Sequence, residues 1–395
     1  MVTAAWKLRT ACADCTAPAL RFMRMALLTL PALLACLLST GSRAETVLAD
    51  AAGREVHLAA PARRIVVNDS LLLLSLALID PDPVGKIAGW AAPQRMDKGV
   101  FASFRQRFPQ IDDIPTVGAV VPANASAESI LSARPDLFVV SLWQPGWETV
   151  TDLLEAAGVP VIFLDGPEND GRDPAEATAF SIELLGMAIG QQAKAADYAN
   201  FVRARYRSVT DRLRNVEIRP NVLIDAFAGT ECCSIPGRDN RLKQNLELAG
   251  GRSIGSESVP GYEGRISAEY VLGADPDVYI GTGGPHLSTQ GGLVLGGGFD
   301  AAVARASLEG ILSQGIRREL TAVRHGRAFG VSHQLAISAL SVLAFECFAK
   351  WTHPELFSEL DPEETLAEIN RHFLAVPLQG TFWIGLRDEA DTTRP

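Results

Sequence analysis

Two kinds of apolar pattern alternate along the chain. Short runs in which almost every residue is apolar, as at 64–68, 137–140 and 159–164, predict strands that are buried on both faces. Between them lie longer segments with apolar residues three and four positions apart, which predict helices. Buried strands that alternate with helices are typical of parallel sheets covered by helices on both faces. The pattern therefore predicts an α/β fold.

The predicted elements form two groups, one in each half of the chain. The first half is predicted to contain a hairpin at 46–58, helices at 70–79, 126–133 and 149–157, and strands or short elements at 64–68, 85–90, 114–118, 137–140 and 159–164. The second half is predicted to contain strands at 222–227, 277–280 and 327–331, and helices at 240–249 (with Asp239 as its cap), 267–274, 337–351 and 362–373.

The longest predicted helix, at 191–215, separates the two groups. A largely apolar stripe with spacings of three and four runs along it, formed by Tyr198, Phe201, Val202, Arg205, Val209 and Leu213. At 1.5 Å per residue such a helix is about 37 Å long, the width of a small domain. We interpret it as a rod that joins two lobes. The alternative is an ordinary surface helix within one domain.

A duplicated segment supports the interpretation with two lobes. SAESILSARPDLFVV at 126–140 matches SAEYVLGADPDVYIG at 267–281, with Glu128 aligned to Glu269 and Asp136 aligned to Asp277. Each copy predicts a capped helix, a turn and a strand. We therefore predict two α/β lobes, at 45–190 and 216–395, joined by the single long helix at 191–215, with a cleft between them.

The first 44 residues have the features of a secretory signal. Arg21 and Arg24 precede an apolar run at 25–38, and small residues follow at 42–44, so we expect cleavage after Ala44. A lipoprotein signal that ends at Cys36 is the alternative. The mature chain would keep Cys232, Cys233 and Cys347, and an exported protein forms disulfides. We expect Cys347 to pair with one of the adjacent cysteines, with three unpaired cysteines as the alternative.

Charge and motifs exclude several classes of function. The net charge of −10 argues against nucleic acid or an anionic membrane surface as a partner. The glycine-rich loop at 281–298 lacks the lysine of a phosphate-binding loop, and the GxSxG match around Ser253 lacks the flanking strand and helix of a nucleophile elbow. The six histidines show no metal-ligand spacing. We therefore expect no catalysis and no resident metal or cofactor. The alternatives are a nucleotide-dependent α/β enzyme and a structural surface protein.

Nine short segments in order resemble the periplasmic solute-binding proteins of iron-siderophore, haem and vitamin B12 ABC importers. They are RIVVN, VGKIAGW, IPTVG, SAESILSARPDLFVV, ELLGMAIGQQAKAADYA, LELAGG, ISAEYVLGADPDVYI, AVRHGRAFGV and FAKWTHPELF. The resemblance implies two Rossmann-like lobes joined by one long helix. It also implies a monomer in the periplasm that has a stiff hinge and holds a small molecule between its lobes. It also implies docking to a transmembrane permease dimer with its ATPase through Glu128 and Glu269. Each glutamate could instead be only a favourable residue of a first helical turn.

The same resemblance guides the choice of ligand contacts. Asp69 precedes the first helix, and Trp90 and Trp143 follow strand ends, although Asp69 could be a helix cap and the indoles could cover the core. Arg238 and His286 would suit an anionic ferric siderophore together with these aromatic residues. His286 or His333 could instead ligate a haem iron, and a corrinoid is a further alternative. We predict an iron chelate, with a ferric siderophore as the first choice.

Overall fold

Four short apolar strands form the central sheet of the N-terminal lobe. In a computed structural model that describes residues 45–387, the sheet has the order β4-β3-β5-β6, and all of its strands are parallel. Its strands are β3 (Ile65–Val67), β4 (Ile87–Trp90), β5 (Leu137–Val140) and β6 (Val161–Phe163). The predicted hairpin is present as antiparallel β1 (Thr46–Ala49) and β2 (Glu55–Leu58). Helices cover both faces, so β3, β5 and β6 are fully buried.

The C-terminal lobe has a five-stranded sheet of the order β15-β13-β11-β7-β9. Four of its strands are parallel, and the edge strand β15 is antiparallel to β13. The strands are β7 (Asn221–Asp225), β9 (Arg252–Ser253), β11 (Val278–Gly283), β13 (Ala328–Ser332) and β15 (Trp383–Gly385). Two antiparallel pairs flank the sheet, formed by β8 (Ser234–Pro236) with β10 (Glu263–Arg265) and by β12 (Gly296–Gly297) with β14 (Gly380–Thr381).

Most of the predicted helices are present with small shifts at their ends. The helices of the first lobe are α1 (Leu72–Ile79), α2 (Lys98–Arg107), α3 (Ala127–Ser132), α4 (Glu148–Ala156) and α5 (Pro174–Ile189), of which α2 and α5 are additional to the predicted set. After the long helix α6 (Gln192–Leu213) come α7 (Arg241–Leu248), α8 (Ala268–Ala274), α9 (Ala301–Leu312), α10 (Thr321–Arg324), α11 (His333–Ala336), α12 (Ser341–Thr352) and α13 (Pro362–His372). Asn240, not Asp239, caps α7, and the segment predicted at 114–118 contributes only one bridge, between Thr116 and Trp90. The two-lobed α/β fold is confirmed.

The long helix α6 contacts both lobes along its buried stripe. Tyr206 stacks on Phe345 of α12, with ring centroids 4.0 Å apart, and Tyr198 donates a hydrogen bond to the carbonyl of Ala339. Arg205, at the edge of the stripe, binds the fully buried Glu346 at 2.6 Å. One continuous hydrophobic cluster runs from the first sheet through α6 to the second lobe. The helix is thus packed into a core that both lobes share.

The cysteines differ from the sequence expectation. Cys232 and Cys233 form a disulfide with each other, and Cys347 is buried. The predicted bridge to Cys347 is therefore wrong, because Cys347 lies in the hydrophobic cluster around α12, whereas Cys233 lies in a separate cluster of the C-terminal lobe. The predicted signal peptide, with Cys36, lies outside the described residues. Among residues 45–387, we find no helix with the length and apolar character of a membrane span.

A second contact between the lobes lies at the start of α2. Asp97 caps this helix by accepting hydrogen bonds from the amides of Gly99 and Val100, and its other oxygen accepts one from the amide of Gly297 at 2.8 Å. Asp97 is 4% exposed, and burial raises the pKa of its carboxyl while the three amides oppose the rise. Beside this carboxylate, the backbones of Gly99 and Gly297 lie so close together that neither position has room for a side chain.

Replacing Gly99 with alanine is expected to destabilise the protein by about 1–3 kcal/mol. A Cβ atom at Gly99 would lie 1.9 Å from the carbonyl oxygen of Gly297, so the two backbones would have to separate. Gly310, which lies within α9 and has open space around its Cα, provides the control. Gly310→Ala should stabilise the helix by roughly 0.5–1 kcal/mol. Urea unfolding measures the change in the free energy of unfolding of both variants. An equal change in the two variants would mean that the contact at Gly99 is loose.

Candidate functional site

A cleft of about 950 Å³ lies between the two lobes. The N-terminal lobe contributes the loops that follow β3, β4, β5 and β6, and the C-terminal lobe contributes the start of α7 and the connection from α11 to α12. In open parallel sheets, ligands bind outside the carboxyl ends of the strands, and the cleft occupies that position in the first lobe. Its charged, amide and aromatic side chains are Asp69, Arg95, Trp143, Gln144, Asp165, Asn169, Asp170, Asp239, Arg241, Gln244, Asn245 and Tyr262.

Asp69 lines the cleft and forms an ion pair with Arg95. The carboxylate accepts a hydrogen bond from the amide of Leu71, and its second oxygen lies 3.2 Å from Nε of Arg95. Burial raises the pKa of Asp69, and the guanidinium of Arg95 opposes that rise. Asp69 is therefore both a local backbone cap and a cleft residue, whereas Arg95 was not predicted from the sequence.

A second ion pair joins the lobes across the cleft. Arg241, the first residue of α7, binds Asp165 of the N-terminal lobe with two hydrogen bonds of 2.9 and 3.2 Å. Asn169 also donates to Asp165, at 2.7 Å. Both ionic side chains are about 30% exposed, so a ligand can reach them. This pair supplies a guanidinium to the cleft in place of the predicted Arg238.

The two predicted tryptophans have different environments. Trp143 lines the cleft and is partly exposed, and its amide donates to the carbonyl of Asp165. Trp90 is 2% exposed and packs against Phe101 with ring centroids 6.2 Å apart. The expectation that Trp90 contacts a ligand is corrected, because its ring belongs to the core of the first lobe. Tyr262, which is 50% exposed, provides the second aromatic wall from the opposite lobe.

Three other predicted contacts do not line the cleft. Arg238 is exposed and its side chain turns to Glu257, whose backbone carbonyl it binds at 3.0 Å. His286 is exposed and touches the edge of Phe227. His333 lies against the face of the same ring, with centroids 3.9 Å apart, and its Nδ1 is 3.1 Å from the hydroxyl of Thr282. Burial lowers the pKa of His333 to about 3, so the imidazole is neutral near pH 7.

The cleft offers no set of three converging metal ligands. Within residues 45–387, the one group of three side chains that could hold a metal is Asp225, Cys232 and Cys233, and none of these lines the cleft. A bare metal ion needs three or four such side chains in one place. The described side chains that line the cleft can offer hydrogen bonds, charge and aromatic contact.

The sequence model described as periplasmic binding protein matches residues 65–335, which is most of the chain. The chain belongs to the periplasmic binding protein family. Members of this family are non-enzymatic components of ABC transporters that act with a permease and an ATPase, so the predicted absence of catalysis and the predicted family are confirmed. Family membership also places this periplasmic binding protein in the periplasm. No protein of curated function matches it in sequence.

Solved structures of other binding proteins share its fold. The TroA-like periplasmic binding protein FepB of Veillonella parvula is 24% identical, with a TM-score of 0.76 over 86% of this chain and 99% of that one. The molybdate-binding protein MolA of Haemophilus influenzae is 16% identical, with a TM-score of 0.66 over 85% and 99%. A protein of an Fe³⁺-hydroxamate transport system from Saccharomonospora viridis is 19% identical, with a TM-score of 0.51 over 78% and 99%. The cargoes in these names differ, so the fold alone does not select one.

Glu128 and Glu269 occupy matching positions in the two lobes of this periplasmic binding protein. Each is exposed in the first turn of a short helix, α3 or α8, whose cap is Ser126 or Ser267. Hydrogen bonds from its own backbone amide and from Ser267 lower the pKa of Glu269. Neither glutamate lines the cleft. They are therefore available to a partner while a ligand occupies the cleft.

Proposed function

We propose that this periplasmic binding protein captures an iron chelate, a ferric siderophore, in the cleft between its lobes and delivers it to the permease of an ABC importer. The proposal includes export by the signal at 1–44, a mature monomer that begins at Glu45, and docking through Glu128 and Glu269. The observation that carries it is the composition of the cleft. The cleft is large, partly polar and partly aromatic, and among the described residues no set of three metal ligands lines it.

The size of the cleft favours a chelate over a bare ion or a small oxyanion. Clefts that hold drug-sized molecules measure about 300–1,000 Å³, and the volume of about 950 Å³ lies near the upper end of that range. A metal ion or a tetrahedral oxyanion would leave most of this space filled with water. A siderophore that wraps iron in its own oxygen ligands would fill it and would need no metal ligand from the protein.

The two guanidinium groups of the cleft can bind a ligand with anionic oxygen atoms, although four aspartates also line it. Arg95 and Arg241 are each held by one carboxylate, Asp69 or Asp165, which positions the guanidinium before a ligand arrives. A guanidinium can bind a second oxygen acceptor through donors that its first partner leaves free. Trp143 and Tyr262 can stack on flat parts of the same ligand from opposite lobes.

Haem is the second candidate, and one observation favours it. Tyrosine is a known ligand of haem iron, and Tyr262 is an exposed tyrosine that lines the cleft. His286 and His333, which the sequence suggested for this role, lie outside the lining residues.

Titration of the mature chain with a panel of ligands tests the proposal. The panel consists of a ferric trihydroxamate, a ferric tricatecholate, haemin, cobalamin and molybdate, and the signal is tryptophan fluorescence. We expect saturable quenching with one bound ferric siderophore per chain. Saturation by haemin alone would instead establish the second candidate. Binding of none of the iron compounds would contradict the proposal.

Trp143→Ala should weaken ferric siderophore binding by about 0.5–1.5 kcal/mol, roughly two- to tenfold, because it removes one aromatic wall. Trp90→Phe is the control. Because Trp90 is buried in the core, this replacement should leave the affinity unchanged. Isothermal titration calorimetry measures both variants, with circular dichroism to confirm folding. An unchanged affinity in a folded Trp143→Ala variant would remove Trp143 from the site.

A further inference from the structure

A buried polar cluster lies in the C-terminal lobe, outside the cleft. Asp225, the last residue of β7, is 1% exposed. Its Oδ2 accepts hydrogen bonds from the hydroxyl of Tyr279 at 2.7 Å and from Nε of Arg317 at 2.8 Å. Its Oδ1 is buried and makes no hydrogen bond of good geometry within the described part of the chain, although the backbone amide of Ser234 is near enough to stabilise the carboxylate. A buried carboxylate oxygen that makes no full hydrogen bond can accept a further partner.

Two sulfur atoms lie beside this carboxylate. The Sγ atoms of Cys232 and Cys233 and a carboxylate oxygen of Asp225 all lie within 4.8 Å of one another. Cys233 is 1% exposed, whereas Cys232 is only partly buried and gives access from solvent. None of the three residues lines the cleft. The cluster therefore has one oxygen and two sulfur donor atoms. It is buried from most water, and the partly exposed Cys232 lets a cation reach it from solvent.

We propose that, when the disulfide between Cys232 and Cys233 is reduced, this cluster binds one thiophilic divalent cation of the Zn²⁺ class. Its ligands are the two Sγ atoms and Oδ1 of Asp225. Zn²⁺ accepts thiolate and carboxylate ligands, and a site with three protein ligands leaves the fourth position to water. Tyr279 and Arg317 hold the other carboxylate oxygen and fix its orientation, as outer partners of metal ligands do.

The charges of the cluster balance when the cation is bound. Asp225 and Arg317 already form a neutral pair, with both side chains 1% exposed. Two thiolates then cancel the charge of a divalent cation, so the occupied site carries no net charge. A buried site with this balance avoids the penalty of an isolated charge in a region of low dielectric constant. A monovalent or trivalent cation would leave one unit of charge uncompensated.

Reduction opens the site and oxidation closes it. A dithiol reductant supplies two electrons and two protons, which break the S–S bond and give two thiols while the reductant becomes a disulfide. Binding of the cation then releases the two thiol protons to solvent. The protein thus has two forms, one with the disulfide and no metal and one with two thiolates and a bound cation.

Zinc binding to the full mature chain tests this inference. The protein is reduced with a phosphine, which does not bring competing thiols, and Zn²⁺ is then titrated against a chromophoric chelator. We expect one Zn²⁺ per chain in the reduced protein and none in the oxidised protein. Co²⁺ in place of Zn²⁺ should give the charge-transfer absorption of thiolate ligands. Absence of stoichiometric binding to the reduced protein would overturn the inference.

Variants separate this site from other thiols. The double variant Cys232→Ser, Cys233→Ser should lose Zn²⁺ binding, while Cys347→Ala should keep it. Asp225→Asn should weaken binding about tenfold or more, since loss of even an outer partner costs 10- to 100-fold. Thermal melts show which variants fold. Equal Zn²⁺ affinity in the double serine variant and the wild type would also overturn the inference. The result is independent of which ligand the cleft binds.

Discussion

Replacing Arg317 with methionine is expected to lower the free energy of unfolding by about 3–5 kcal/mol. Nε and Nη2 of Arg317 both lie 2.8 Å from Oδ2 of Asp225, and both side chains are 1% exposed. Methionine keeps much of the volume but leaves a buried carboxylate with no cation beside it. The hydroxyl of Tyr279 and the backbone amide of Ser234 would remain beside that charge, and both are neutral donors. Urea denaturation, with circular dichroism as the signal, measures the loss.

The neighbouring arginine provides a matched control. Arg318 pairs with Glu319 at 2.9 Å, but its side chain is 66% exposed, and exposed pairs contribute only about 0–1 kcal/mol. Arg318→Met should therefore change the stability by no more than that. The double variant Asp225→Asn, Arg317→Met should recover part of the loss, because the unpaired charge is gone. If Arg317→Met and Arg318→Met lowered the free energy of unfolding equally, the buried ion pair of Arg317 would contribute no more to stability than an exposed pair.

The double variant Glu128→Ala, Glu269→Ala is expected to abolish uptake of the ferric chelate and to leave its binding unchanged. Both glutamates are exposed, lie in equivalent first turns and do not line the cleft. In the proposed docking, each carboxylate meets basic groups on one subunit of the permease. Because exposed charges contribute little to folding, the variant should keep its stability. Uptake is measured in cells that carry the importer but lack their own copy of this binding protein, and binding is measured by calorimetry.

Two other exposed glutamates in first helical turns serve as the control. Glu148 begins α4 of the N-terminal lobe, and Glu364 lies in the first turn of α13 of the C-terminal lobe. Glu148→Ala, Glu364→Ala removes the same charge from the same kind of position, so it should support normal uptake. Uptake that persists in the Glu128, Glu269 variant, or that falls equally in the control, would refute the docking assignment.

Patterns that depend on burial along a regular element were predictable from the sequence. The apolar stripe of α6 and the repeated unit of Glu128 and Glu269 each follow from a spacing, and both appear in the fold. Helix α2 was missed because only Val100 and Phe104 of its residues are buried, which is too few for a periodic signal. It is fixed instead by its cap Asp97 and by contact with Gly297.

The candidate site was less predictable because its members come from distant loops. Arg95 and Arg241 each reach the cleft through an ion pair with a carboxylate far away in sequence or on another element, and no local pattern marks such pairs. Trp90 and Trp143 both follow strand ends, yet the ring of Trp90 turns into the core against Phe101. The orientation of a side chain beyond a strand depends on the packing of the loop around it, which the sequence pattern does not encode.

The central claim is that a ferric siderophore binds in the cleft between the lobes. The most direct test is a crystal structure of the mature chain with a ferric siderophore, with data collected at the iron absorption edge. The account predicts one anomalous peak per chain between the lobes, with the chelate in contact with Trp143 and with the guanidinium of Arg95 or Arg241. An iron peak outside the cleft, or an empty cleft in a protein that binds the chelate in solution, would contradict it.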